Sequence, residues 1–233
     1  MDYKMGQRSY RHMIEIRIDK KLQEACPGLT LGCIEAKVKV KQYDAKLWEE
    51  ISNVCNQLTG TMIPTDIAKL KNIQEARSTY RKLGQDPTRY RVSSEALLRR
   101  VIKDKGLYQI NNIVDINNLI SLQSYHPVCT YDQSKIQKSI LFTVGEEGEA
   151  YQGIGRGSFS VEFIPVFADT AGKFGSTTSD SERAMVTEET QEILLCIVSF
   201  NGDDKMEHWL KEGERLLLRY GDGEDVQTRL MKF

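Results

Sequence analysis

Five arginines lie close together between residues 81 and 100: Arg81, Arg89, Arg91, Arg99 and Arg100. They fall in YRKLGQDPTRYR and the following SSEALLRRVIKDKG, and Tyr80 and Tyr90 interleave with them. Guanidinium forks suit phosphate oxygens, and tyrosine rings suit stacking on bases or ribose, so these residue types fit an RNA-binding face. From Arg77 to Lys105, nine basic residues stand against Asp86, Glu95 and Asp104, a local charge of +6 in a chain whose net charge is −1. The plain alternative is a solvated helix face whose arginines pair with those three acids, as charge runs on helices usually do.

Three other segments contain reactive or ligand-binding residue types. Cys129 sits in HPVCTYD, three residues from His126, but Pro127 lies between them. A nucleophilic thiol needs a base beside it, so a buried cysteine at a proline turn is the simpler expectation. Gly153 to Gly157 (GIGRG) is not followed by G-K-[ST], and the next residues have strand character, so a hairpin or bulge is expected rather than a phosphate loop. The polar run from Gly175 to Asp180 (GSTTSD) could hold an anion through backbone N–H groups and hydroxyls, or be a surface loop.

Composition narrows the class. The 233 residues are 40% hydrophobic and 28% charged, an ordinary globular balance with enough length for a real core. The near-zero net charge excludes a globally basic coat protein. Residues 193–200 form the purest apolar run, far below the ~18 needed to span a bilayer, and the first twelve residues show no apolar leader segment. The five cysteines are odd in number and contain no C-x-x-C, and only three histidines could join them. The expectation is reduced thiols in a cytoplasmic protein, with no metal, no cofactor, no membrane and no DNA partner.

The periodicity predicts the elements that must position these residues. Residues 12–19 alternate as a strand, and 29–40 read as a second. Asp44 caps an amphipathic helix ending at Gly60, Thr65 caps another over 66–83 closed by Gly84, and Ser93 caps a third. Residues 111–124 read as a helix. Strands are expected over 139–144, 161–163, 166–169 and 191–200, and a last helix over 204–220. This is α+β, read as a single domain over 1–233 with residues 1–60 as an N-terminal α/β extension.

The order of motifs resembles a known family. Val114, Asp115, Asn118, Pro127 and Asp132 reproduce the VD-x-x-N…P…D pattern of the B3/B4 domain of the phenylalanyl-tRNA synthetase β subunit. Gly175, Val186, Thr190, Ile193 and Phe200 follow in register, and the block from Tyr80 to Arg100 resembles free-standing B3/B4 proteins, which lack the synthetase's other domains. The resemblance covers about residues 66–200. It implies a three-layer β-β-α sandwich, a tRNA or aminoacyl-tRNA partner, and a pocket that hydrolyses misacylated aminoacyl esters in trans rather than a complete tRNA ligase. A non-catalytic tRNA- or nucleotide-binding module is the alternative. The pocket is expected at Asn117, Cys129, Thr130, Tyr131 and Cys196, with Cys129 and Cys196 facing one cavity. Cys129 replaces the family's histidine, and Cys196 replaces the glutamate that recognises a tyrosine hydroxyl. A pocket without that acceptor is expected to take an apolar or small aminoacyl group. Asp115 and Asp132 are expected to be structural.

Overall fold

The computed structural model describes residues 13–233; residues 1–12, with the stretch read for a leader and the first residue of the strand expected over 12–19, lie outside them. Two four-stranded sheets form the frame. The first has the order β1 (Glu15–Ile18), β4 (Ser139–Val144), β7 (Pro165–Asp169), β8 (Gly172–Ser176), with β1 parallel to β4 and the other neighbours antiparallel. The second is antiparallel throughout, in the order β10 (Glu224–Lys232), β2 (Thr30–Lys37), β9 (Glu192–Ser199), β3 (Val128–Asp132). A separate hairpin joins β5 (Ala150–Gly153) to β6 (Gly157–Ser160), so the glycine run at 153–157 is the expected hairpin.

Strand alternation builds the layers. Along β9, Leu194, Cys196 and Val198 enter one core while Ile193, Leu195 and Ile197 enter another. The first core lies between the sheets, where Tyr131 of β3 meets Phe167 of β7 and Phe174 of β8 edge-on at 5.6 and 4.9 Å. The second lies under α2 (Ala45–Thr61), α5 (Asn112–Ser124) and α6 (Met206–Tyr220). Both faces of the second sheet are therefore apolar, the signature of a middle layer. Sheet, sheet and helices give the expected α+β three-layer arrangement. Helices α1 (Lys20–Ala25), α3 (Lys71–Leu83) and α4 (Ser93–Ile102) pack against the first core.

The N-terminal α/β segment is woven into both sheets. It places β1 at the edge of the first sheet and β2 inside the second, between β10 and β9.

Asp44 and Gly84 cap as expected, but Ser93 does not: it is the first residue of α4, Val92 stands at the cap, and no side chain bonds the helix start. Asp44 accepts from the N–H groups of Lys46 and Leu47, Asn111 accepts from that of Val114, and Gly84 ends α3 at φ 98°. The helix expected over 66–83 is divided. The Asp66 carboxylate accepts from Ile63 N and Lys69 Nζ, closing a local 3-10 turn over Ile67–Lys69, and α3 restarts after an extended Leu70. The strand expected over 161–163 is reduced to an isolated bridge from Glu162 to Gly145, after which the chain turns at Phe163, φ 56°.

Candidate functional site

The polar loop after β8 is held in place by side chains from three other elements. Tyr131 reaches it from β3 by passing over Gly175, where a Cβ would sit 2.2 Å from the phenol oxygen, so only glycine leaves the path open. The Tyr131 hydroxyl donates to Asp180 Oδ1 at 3.0 Å, and Ser176 N donates to the same oxygen at 3.0 Å. Asp180 Oδ2 makes no hydrogen bond among the described residues and keeps contact with solvent. Burial pushes the Asp180 carboxyl up to about 7, against the lowering effect of its two hydrogen bonds.

Two more tyrosines hold the loop. Tyr80 of α3 shares hydrogen bonds with the hydroxyls of Thr177 at 2.6 Å and Thr178 at 2.8 Å. Tyr151 of β5 donates to the Ser179 carbonyl, and Ser176 Oγ donates to the same carbonyl at 2.7 Å. Burial raises all three phenols well above their ordinary value, so they stay neutral donors. Tyr80 is 1% exposed, which corrects its expected role as a stacking surface.

The expected pocket residues divide between two faces of the middle sheet. Cys129 and Cys196 are register partners and both enter the inter-sheet core; Cys33, the next partner in the row, lies with its sulfur 3.9 Å from that of Cys196. Tyr131 shares this face. Thr130 points the other way, as alternation requires, and meets the side chain of Asn117 on α5 at 3.0 Å. Asn117 and Thr130 therefore do not join the other three. The two thiols share a side, as expected, but they are 1% and 0% exposed and packed among aromatic rings. Burial raises the Cys129 thiol well above its ordinary value, and its sulfur lies 3.6 Å from the Ser176 carbonyl. His126 turns away from it to Asp203, at 2.8 Å. Cys129 is thus not poised as a nucleophile.

The family-pattern acids are structural. Asp115 accepts from Trp48 Nε1 at 2.7 Å and ties α5 to α2. Asp132 accepts from Ser134 and, at 2.7 Å, from the Thr190 hydroxyl, which links the end of β3 to the approach to β9.

The arginines sort into two groups around a buried carboxylate. Glu95, 0% exposed, accepts from Arg77 at 2.6 and 2.8 Å and from Arg99 at 2.6 Å, and Arg91 stands 3.7 Å away. Burial alone would raise the Glu95 carboxyl, but hydrogen bonds from Arg77 and Arg99 outweigh it and hold the group below its ordinary value. Arg99, expected on the RNA face, is mostly a partner of Glu95. Arg81 and Arg89 are exposed, Arg89 lies 5.6 Å from the Tyr90 ring, and Arg100 covers the Tyr108 ring at 3.8 Å. Three guanidinium charges meet one carboxylate at Glu95, so the site keeps a positive excess. This segment and the Asp180 loop are joined directly: Ser93 N donates to the Thr177 carbonyl at 2.8 Å.

Elsewhere, a cleft of about 410 Å3 opens in the helix layer beside Leu58, Leu122, Tyr125 and Trp209. Among the described residues no cluster of three or more metal-ligating side chains forms, and no helix is long and apolar enough to cross a membrane. Chemically, the loop offers one largely buried carboxylate with an unengaged oxygen, able to exchange a proton near neutrality, beside a surface with unspent positive charge.

Sequence reasoning singled out the loop at 175–180 but not Asp180. The signal was the glycine before a hydroxyl-rich run ending in an acid; what it lacked was knowledge that Tyr131, a distant residue, covers it.

The B3/4 domain family model matches residues 75–211, more than half of the chain and including both the arginine segment and the Asp180 loop. The phenylalanine–tRNA ligase beta subunit of Protochlamydia amoebophila (strain UWE25) is 30% identical over 106 residues, which is 42% of this chain and 13% of that protein. The crystal structure of an N-terminal fragment of the phenylalanyl-tRNA synthetase beta subunit from Pyrococcus horikoshii aligns with a TM-score of 0.48 at 12% identity, over 93% of this chain and 51% of that one. The chain thus spans only part of either relative. From the match over residues 75–211, the chain belongs to the B3/4 domain family.

Proposed function

We propose that this chain binds tRNA through its arginine segment and hydrolyses the ester of a misacylated aminoacyl-tRNA at the Asp180 loop. The observation that carries the reading is the hydrogen bond from Ser93 N to the Thr177 carbonyl, which sets the start of α4, just after the exposed Arg89 and Arg91, against the loop that holds the Asp180 carboxylate. Phosphates held by Arg81, Arg89 and Arg91 would deliver an RNA end to that loop. The name of the sequence relative, a phenylalanine–tRNA ligase beta subunit, supports tRNA as the nucleic acid. Reduced thiols throughout fit a cytoplasmic setting.

The second reading is a tRNA- or nucleotide-binding module without turnover. It is favoured by the closed packing around Cys129, Tyr131 and Cys196, which leaves the family's expected pocket filled by this chain's own rings. The RNA half of the proposal is tested by tRNA affinity measured across salt concentrations. Each phosphate contact adds roughly 0.7–0.9 to the slope of log K against log salt. Replacing Arg81, Arg89 and Arg91 by alanine lowers both affinity and slope; an unchanged slope returns these arginines to a solvated face.

A further inference from the structure

We propose that Asp180 is the general base of the hydrolytic site, with Oδ2 taking the proton of the attacking water and Tyr131 as the residue that positions the carboxylate. The inference rests on the hydrolytic reading above and adds the group that performs the step.

Three observations carry it. First, the two oxygens are differentiated: Oδ1 is fixed by the Tyr131 hydroxyl and by Ser176 N, each at 3.0 Å, while Oδ2 is unengaged among the described residues and touches solvent. Oriented by one oxygen and open at the other, the carboxylate has the geometry a base needs. Second, the groups facing it are neutral. They are Tyr131 and Cys129 from β3, Tyr151 from β5, and the backbone N–H of Ser176 in its own loop. No cation pairs with it among the described residues, whereas Asp169 is paired with Arg183. A carboxylate locked in an ion pair cannot pick up a proton at neutral pH; this one, lifted by burial to about 7, can. Asp115 is also raised by burial, but both its oxygens are taken, by Trp48 Nε1 and Ile110 N. Third, the loop abuts the start of α4, so an RNA end held by the arginines brings its terminal ribose to this edge.

The step balances. The water oxygen bonds to the ester carbonyl carbon as its proton passes to Oδ2. The tetrahedral intermediate then collapses, breaking the bond to the ribose oxygen, and the Asp180 acid returns the proton to that leaving oxygen. The products are a free amino acid and a free ribose hydroxyl, and the carboxylate is regenerated.

The test is single-turnover deacylation of a panel of ester-linked aminoacyl-tRNAs by the full chain, Asp180→Asn and Tyr131→Phe, over a range of pH, with tRNA affinity measured in parallel. The wild-type rate should climb with pH through about 7 and level off. Asp180→Asn should lose roughly 10²–10⁴-fold in rate with tRNA affinity retained. Tyr131→Phe should lower the neutral-pH rate and move the rising limb to higher pH, because the carboxylate loses a hydrogen bond that favours its charged form. That displacement decides the matter even where the Asn variant misfolds. An active wild type with an equally active, folded Asp180→Asn overturns the assignment of Asp180 alone. A limb unmoved in Tyr131→Phe overturns the positioning role. A wild type that binds tRNA but deacylates no member of the panel overturns the hydrolytic reading and Asp180's role with it.

Discussion

Glu95→Gln separates what the arginine cluster does for the fold from what it does for RNA. In the wild type one fully buried carboxylate accepts three hydrogen bonds from Arg77 and Arg99 and faces Arg91 at 3.7 Å. Removing one partner of a buried pair costs about 3–5 kcal/mol, because the remaining charges are left uncompensated. Glutamine keeps one acceptor oxygen and Arg77 and Arg99 keep some solvent contact, so the low end, about 3 kcal/mol, is expected. For a chain of this size that is a fall of roughly 6–12 °C in Tm. Over the same site the local charge rises by one unit. If these guanidinia contact phosphates, the folded fraction should bind tRNA more tightly, with a salt slope steeper by up to ~0.9. Differential scanning calorimetry and salt-titrated tRNA binding read the two effects separately. An unchanged Tm refutes the clamp. A lowered Tm with unchanged affinity and slope refutes the RNA contact and leaves the cluster as fold architecture.

The remaining predictions concern acid stability, the loop and the thiols. The hydrogen bond with His126 holds the Asp203 carboxyl down to about 2 from 3.8, worth about 2 kcal/mol by linkage. Its pKa is depressed, so this stability is present above 3.8 and lost as pH falls through about 2; Asp203→Asn should flatten the acid limb of a stability–pH curve. Gly175→Ala puts a methyl 2.2 Å from the Tyr131 oxygen and should cost about 1–3 kcal/mol in urea melts while moving the tyrosine off Asp180. Native Cys129 should resist alkylation until the protein is unfolded, since the thiol is buried and held protonated; fast labelling of the native chain contradicts the closed packing.

Most helices were legible because their signals are local. Asp44, Asn111 and Gly84 act within a few residues of themselves, and the apolar spacing of α2 and α6 needs no distant partner. The strand β10 was missed because Glu224–Lys232 is polar and half-exposed, and its pairing with β2 is set almost two hundred residues away. The segment after Pro127 was read as a turn, yet it is the buried strand β3, whose five residues are too few to show a period. That strand also explains the misplaced pocket. Thr130 and Cys129 are adjacent in sequence, and adjacency in a strand means opposite faces. Asp180 escaped notice because its chemistry comes from Tyr131, which is distant in sequence and brought close by the sheets. The resemblance to the B3/B4 family was carried by residues whose roles turn out to be structural: Asp115, Asp132, Thr190 and Gly175 hold elements together or clear a path.

The central claim is that RNA held at the arginine segment meets a hydrolytic carboxylate in the neighbouring loop. The most direct measurement is release of amino acid from ester-linked aminoacyl-tRNAs by the wild-type chain at neutral pH, under single-turnover conditions at low and at high salt. Release above the buffer rate is expected for at least one aminoacyl group, weakened at high salt as phosphate contacts are screened. Release from none of them, with tRNA bound, would contradict it.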